Sequence, residues 1–207
     1  MLIKFQDIVD KYGKPKGIIH IGAHLMEERI DYVSNGLLNT IWIEANPNVF
    51  KSIDYVNESS SQERAFNFAI CDRDGETVKL NITNNGQSSS ILELEKHKVH
   101  HPWVYVSDVA FVSTKRMDTL IMESGIRIDD YDFLNIDIQG AELLALKGFG
   151  EMLNSISKIY IEINTNELYK GCPLVGEIDE YLGEFGFHRA ETSLTEFEWG
   201  DALYIKQ

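Results

Sequence analysis

Short apolar runs alternate along this chain with stretches in which apolar residues recur every three or four positions. That alternation constrains the fold most, because strand–helix–strand repeats build a parallel sheet with helices on its faces. Residues 17–21 (GIIHI) read as a buried strand. Residues 25–35 read as the helix after it, with Met26, Ile30, Val33 and Leu37 on one face and Gly36 as the stop. Residues 40–43 are a second strand, and Asn46 before Pro47 caps a helix carrying the stripe Val49, Phe50, Ile53 and Val56. Further strands are expected at 65–70, 133–138 and 158–163, with helices at 117–124, from Gly140 onward, and through Leu174, Ile178 and Leu182.

The pattern breaks at 72–113, where turn chemistry (Asp74-Gly75, Asn84-Asn85-Gly86) separates strand-like runs at 76–82 and 109–113. This predicts a β-rich insertion where a simple repeat would place a helix. Two closing strands, separated by about ten polar residues, predict a hairpin with one strand antiparallel to the rest. With no linker or repeat, residues 1–207 read as one domain.

Nineteen basic residues against 33 acidic ones give a formal charge of −14. A surface of that sign repels phosphate backbones, so nucleic acid is not expected as a substrate and a small neutral or weakly charged acceptor is. No apolar run approaches the roughly 18 residues of a membrane-crossing helix. The start of the chain lacks the apolar core of a secretory signal, so cytoplasmic residence is the expectation. Cys71 and Cys172 are too few for a disulfide framework and read as free thiols.

Three features carry chemistry. Gly22-Ala23-His24 closes the first strand, and a tight glycine turn there brings backbone N–H groups and a helix start close to a ligand. Glu44 ends the second strand 22 residues later, where a carboxylate can accept both hydroxyls of a ribose. The turn holds one glycine and then Glu27, so it lacks the G-x-G-x-x-G that pyrophosphate requires and favours a cationic, phosphate-free nucleoside cofactor. Asp137 ends the fourth strand, at the sheet edge where open α/β folds bind ligands. It is the leading candidate to take a proton from an acceptor hydroxyl, with His24 second; the alternative is that Asp137 caps the next helix. Glu27 and Glu28 read first as complementing the dipole of the helix after Gly22, and second as acids that would welcome a cofactor bearing a positive amino group and sulfonium.

Taken together, IHIGAHLMEE, WIEANP, FNFAICDRDGE, Ser88-Ser89-Ser90 and RMDTL followed by DFLNIDIQGAELLALKGF resemble the FkbM-type methyltransferases from about Gly17 to Ile205. The resemblance implies a class I, Rossmann-like three-layer sandwich. Its sheet would be mostly parallel and seven-stranded, with an antiparallel terminal strand and the β-rich insertion over the active site. It implies S-adenosyl-L-methionine as cofactor and a sugar or natural-product hydroxyl as acceptor. It places Gly22, Ala23, His24, Glu44, Ala45, Asn46, Asp72, Ser90 and Asp137 around the cofactor, with Glu44 on the ribose and Asp72 near the adenine. The sequence departs from the family pattern at His20 (usually aspartate), His24 (asparagine), Met26 (glycine), Asn135 (lysine) and Gln139 (glutamate). The last two exchange a lysine–glutamate pair for a neutral one.

Two other readings stand beside this one: a nucleotide-dependent oxidoreductase sharing the ribose acid, and a non-catalytic module retaining the fold. His97, His100 and His101, beside Trp103, read first as a solvated loop and second as a lid over the substrate. No metal site is expected there. Glu162 and Asn164 with Asp137 offer oxygen ligands for a divalent cation, a reading not favoured. Tyr160, Tyr169 and Trp199 are assigned to core or rim.

Overall fold

The computed structural model describes residues 1–206. Its first part runs α1 (Phe5–Tyr12), β1 (Ile18–Ile21), α2 (Arg29–Ser34), β2 (Thr40–Ile43), α3 (Pro47–Ile53), α4 (Val56–Ser59) and β3 (Glu63–Phe66). A second group follows: β4 (Ala69–Ile70), β5 (Thr77–Thr83), α5 (His97–His100) and β6 (Val106–Lys115). The chain closes with α6 (Met117–Glu123), β7 (Phe133–Ile136), α7 (Glu142–Phe149), β8 (Lys158–Asn164), α8 (Val175–Glu184), β9 (Phe187–Leu194) and β10 (Trp199–Lys206).

Seven strands form one sheet in the order β3-β2-β1-β7-β8-β10-β9. The pairings from β3 to β8 are parallel, and β10 is antiparallel to both β8 and β9. This is the mostly parallel sheet with an antiparallel close that the alternation predicts. Strands covered on both faces are apolar on both, and alternation assigns each side chain to a layer. Ile19, Ile21, Leu134, Ile136, Ile159 and Ile161 pack beneath α6, α7 and α8, with Leu146, Phe149 and Leu182. Ile18, Phe133, Tyr160 and Leu203 face the other way, onto Phe5, Tyr32 and Trp42.

Two local readings need correction. The helix after β1 begins at Arg29 rather than residue 25, because His24 (φ 42°) and Met26 (φ 60°) adopt left-handed backbone that breaks any helix there. Its buried residue is Tyr32, while Ile30 (75% exposed) and Val33 face solvent. Glu27 and Glu28 therefore precede the helix instead of occupying its first turn. The run 65–70 is also not one strand. Asn67 turns its side-chain amide to the main-chain oxygens of Glu44 (2.7 Å) and Ala45 (3.1 Å), and the chain leaves the large sheet there.

Beyond that break, β4, β6 and β5 form a separate three-stranded sheet in that order. This is the β-rich insertion, and it folds back over the carboxyl ends of β1, β2 and β7. Ser90 Oγ donates to the main-chain oxygen of Gln139 (2.7 Å), fastening the insertion to the loop after β7. Both cysteines are buried free thiols. No helix among the described residues is long and apolar enough to cross a membrane.

Candidate active site

The site is built where β1, β2 and β7 end. The amides of Gly22 and Ala23 both donate to Ile43 O (2.9 Å each), joining the first two strand ends. Gly22 has φ 91°, and a Cβ there would overlap the main-chain oxygen of Asp137. Only glycine lets the β1 turn and the end of β7 approach so closely. Glu44 then braces the turn. Its Oε2 accepts from the His24 amide (2.8 Å) and its Oε1 from the Asn46 amide (2.6 Å). Burial raises the Glu44 pKa, and those two N–H groups pull it back.

A cleft of about 670 Å³ opens above this turn. Gly22, His24, Glu44, Ala45, Asn46, Ser90 and Asp137 all line it, and Val49, Phe68, Leu80 and Ile91 give it an apolar wall. Two residues expected there lie elsewhere. The Ala23 side chain is buried in the core layer with Trp42. Asp72 accepts from Cys71 Sγ (3.2 Å) and pairs with Arg73 (3.3 Å), away from the cleft lining.

Two further cavities adjoin it. One, of about 800 Å³, is polar and acidic, lined by Glu27, Glu28, Asp137, Glu162 and Asp201 together with His20, His24 and Asn135. The other, of about 700 Å³, lies under the insertion and is walled by His97, His101, Trp103, Tyr169 and Trp199. Asp137 and Gln87 line all three. The histidine segment is thus no solvated loop: it forms α5, and His97 is buried. Tyr169 is core, as read, packed with Leu94, Leu168 and Cys172, and Trp199 lies at the edge of that cluster; both also border the cavity under the insertion. The second reading of the histidine segment, as a lid, accords with this placement, whereas Gln87 and Trp199 carry no local signal of it, since distant segments meet only after the insertion folds back.

Gln139 is the hub of the junction. Held in left-handed backbone (φ 58°), its Nε2 donates to Asp137 Oδ1 (2.7 Å) and Glu162 Oε2 (2.6 Å), and its Oε1 accepts from Tyr169 OH (2.5 Å). Enclosure by protein raises the Asp137 pKa although water still reaches the carboxylate through the cleft; the Gln139 amide opposes the rise. Burial, then the charge of Asp137, pushes Glu162 well above the usual carboxylate range. The two titrate as a pair, each raised first by burial. His24, the second candidate, holds its Nδ1 against Glu27 Oε1 (2.6 Å). Among the described residues no three His, Cys, Asp or Glu side chains are grouped to hold a metal.

Residues 20–189 match the family described as Methyltransferase FkbM domain. The chain belongs to the FkbM methyltransferase family. The 2-O-methyltransferase NoeI of Sinorhizobium fredii is 32% identical over 123 residues, 56% of this chain and 50% of NoeI. The chain thus spans about half the length of that relative. Among solved structures, M. capricolum TrmK with S-adenosyl-homocysteine and Streptococcus pneumoniae Sp1610 with S-adenosyl-L-methionine each align with TM-score 0.50 and 11% identity. Both alignments cover 100% of this chain, with 69% of TrmK and 73% of Sp1610, and at that identity they show the fold alone. The fold is that of the class I methyltransferases, and the FkbM methyltransferase domain occupies most of the chain.

Against this FkbM frame, the departures at His20 and Asn135 turn out to be one contact. The two residues are register partners on β1 and β7, and Asn135 Nδ2 donates to Tyr32 OH (2.8 Å), which also meets His20 Nδ1 (3.1 Å). Burial lowers the His20 pKa, keeping the cluster neutral. Among the described residues no hydrogen bond joins Asn135 to Gln139, whose partners are Asp137, Glu162 and Tyr169.

Capping of α7, the alternative role for Asp137, is not seen: the helix has no side-chain cap, and Glu142 Oε1 instead accepts from the loop amides of Ile138 (3.1 Å) and Gly140 (3.0 Å) that precede it. Its Oε2 is buried without a partner, and burial raises its pKa to about 7. The folded state therefore favours the protonated form. That contribution is complete below the ordinary value of 4.5 and is lost as pH rises through about 7. Glu142→Gln, which cannot ionise, is expected to gain on the wild type by on the order of 3 kcal/mol across that window. Urea unfolding at about pH 5 and pH 8 measures it; an unchanged difference would show that Glu142 is ionised in the fold.

Proposed function

We propose that this enzyme transfers the methyl group of S-adenosyl-L-methionine to a hydroxyl oxygen of a sugar, with Asp137 at the reacting centre. The observation that carries the reading is the convergence of three chemically different cavities on Asp137 and Gln87. The cleft with the apolar wall suits an adenine ring, with the Glu44 carboxylate at its rim for the ribose hydroxyls. The acidic cavity suits the cationic methionine end: Glu27, Glu28 and Asp201 favour an ammonium there and disfavour phosphate. The cavity under the insertion is left for the acceptor. On this reading residues 1–207 act as one domain, and the insertion roofs the site.

The bound cofactor supplies an electrophilic methyl on a sulfonium centre. The protein's task is then to hold the acceptor oxygen in line with it and to receive the proton. The Asp137 carboxylate accepts that proton as the oxygen–carbon bond forms and the methyl–sulfur bond breaks, leaving adenosylhomocysteine. Gln139 fixes the rotamers of both carboxylates, and Tyr169 fixes Gln139. Oxygen as the methylated atom is supported by the relative named a 2-O-methyltransferase.

The test is incubation with methyl-labelled S-adenosylmethionine and a panel of free and glycan-linked sugars, alongside calorimetric titration with adenosylhomocysteine. Label recovered on a sugar oxygen is the expected result. Tight adenosylhomocysteine binding with no label on any hydroxyl acceptor would favour the non-catalytic alternative.

A further inference from the structure

The cavity under the insertion has a composition that narrows what it can hold. Its wall is a run of rings: His101 lies 5.4 Å from Trp103 and 4.9 Å from His97, which lies 5.5 Å from Tyr169. Trp199 closes the far side. Flat aromatic faces of this kind bury the C–H face of a pyranose, while Asn85, Gln87 and Ser88 offer hydrogen bonds to its hydroxyls.

The charge is equally informative. Among the described residues lining this cavity there is no lysine or arginine, and the acids Asp137 and Glu162 stand at its inner end. The histidines do not make up for this. Burial, then the neighbouring His101 and His100, lowers His97 to about 4, and burial also lowers His101. Both are neutral near pH 7. His97 Nδ1 is itself buried with no partner, so the imidazole keeps hydrogen-bonding capacity that a ligand or water can meet. A phosphate or diphosphate entering here would meet carboxylate charge and no cation, inside a chain with a net charge of −14.

We propose that this cavity takes an uncharged sugar, its ring against the Trp103 and Trp199 indoles, and rejects phosphorylated and nucleotide-linked sugars. The inference rests on the hydroxyl-methylation reading above and adds the acceptor's charge class to it. In reaction-sequence terms, methylation would fall after the sugar has been transferred from its activated, phosphate-bearing donor.

Intrinsic fluorescence gives a direct readout. Of the three tryptophans, Trp42 is fully buried in the core and the other two line the cavity. The full chain, saturated with adenosylhomocysteine, would be titrated with the methyl glycosides of glucose, galactose, mannose, rhamnose and xylose. Glucose 6-phosphate, mannose 6-phosphate and UDP-glucose form the anionic arm. At least one uncharged glycoside is expected to change the emission, with every anionic sugar binding at least about tenfold more weakly. Trp103→Ala, at a side chain 65% exposed, should weaken the responsive glycoside about tenfold and leave adenosylhomocysteine affinity unchanged. Anionic sugars binding as tightly as uncharged ones would overturn the proposal, as would adenosylhomocysteine binding with no response to any uncharged glycoside. An unchanged glycoside affinity in Trp103→Ala would also overturn it. Failure of adenosylhomocysteine itself to bind would instead strike the methylation reading, and this proposal with it.

Discussion

Asp137→Asn is expected to lower kcat by about 10²–10⁴-fold while leaving adenosylhomocysteine affinity within about threefold of wild type. The substitution keeps the shape of the side chain and an oxygen able to accept from Gln139 Nε2, so the junction retains its geometry. Of the described residues that line all three cavities, Asp137 and Gln87, it removes the one able to take a proton. The pH profile provides a second readout. In the wild type, turnover should rise with pH as Asp137 ionises, at a pKa above the ordinary aspartate value because protein encloses it; in the variant that rise should disappear. Single-turnover rates with labelled cofactor measure both effects. A variant with wild-type kcat would reduce Asp137 to a wall of the cleft.

Glu44→Ala is expected to weaken adenosylhomocysteine binding about a hundredfold. Two hydrogen bonds from ribose hydroxyls to a carboxylate contribute on the order of 3 kcal/mol together. The carboxylate also braces the His24 and Asn46 amides, so the alanine variant loosens the turn as well. Glu44→Gln separates the two contributions, because it keeps one acceptor oxygen but loses the charge and the second acceptor. Its affinity should fall between wild type and alanine. Calorimetric titration of the three proteins gives the comparison, and an alanine variant binding within about threefold of wild type would remove Glu44 from the cofactor site.

How far the sequence could be read depended on whether a feature was local. The strands around Ile19, Ile41, Leu134 and Ile161 are buried on both faces, so their apolar runs announce the sheet. Gly22 and Glu44 were legible because a strand end and a fixed spacing place them, and both line the same cleft. The helix start was missed because the left-handed turn is made by His24 and Met26, residues that do not advertise that conformation. The break at Asn67 was missed because its cause is a side chain bonded to the main chain of another loop, at Glu44 and Ala45. Of the cavity lined by His97, Trp103, Tyr169 and Trp199, only the histidine segment offered a clue, as the second reading of a lid, since the walls come from the insertion, the loop after β8 and the start of β10. Its aromatic and histidine residues are individually ordinary.

β10 lies between β8 and β9 in the sheet, although β9 precedes it in the chain. During synthesis β9 therefore emerges before the one strand it pairs with, and the hairpin reaches the sheet through β10. The same late segment delivers Trp199 to one cavity and Asp201 to another. A nascent chain that has already closed the turn at Gly22 thus still lacks one wall of each neighbouring chamber. On the proposed assignment of the site, the order of translation makes these walls the last part of the reaction centre to be built.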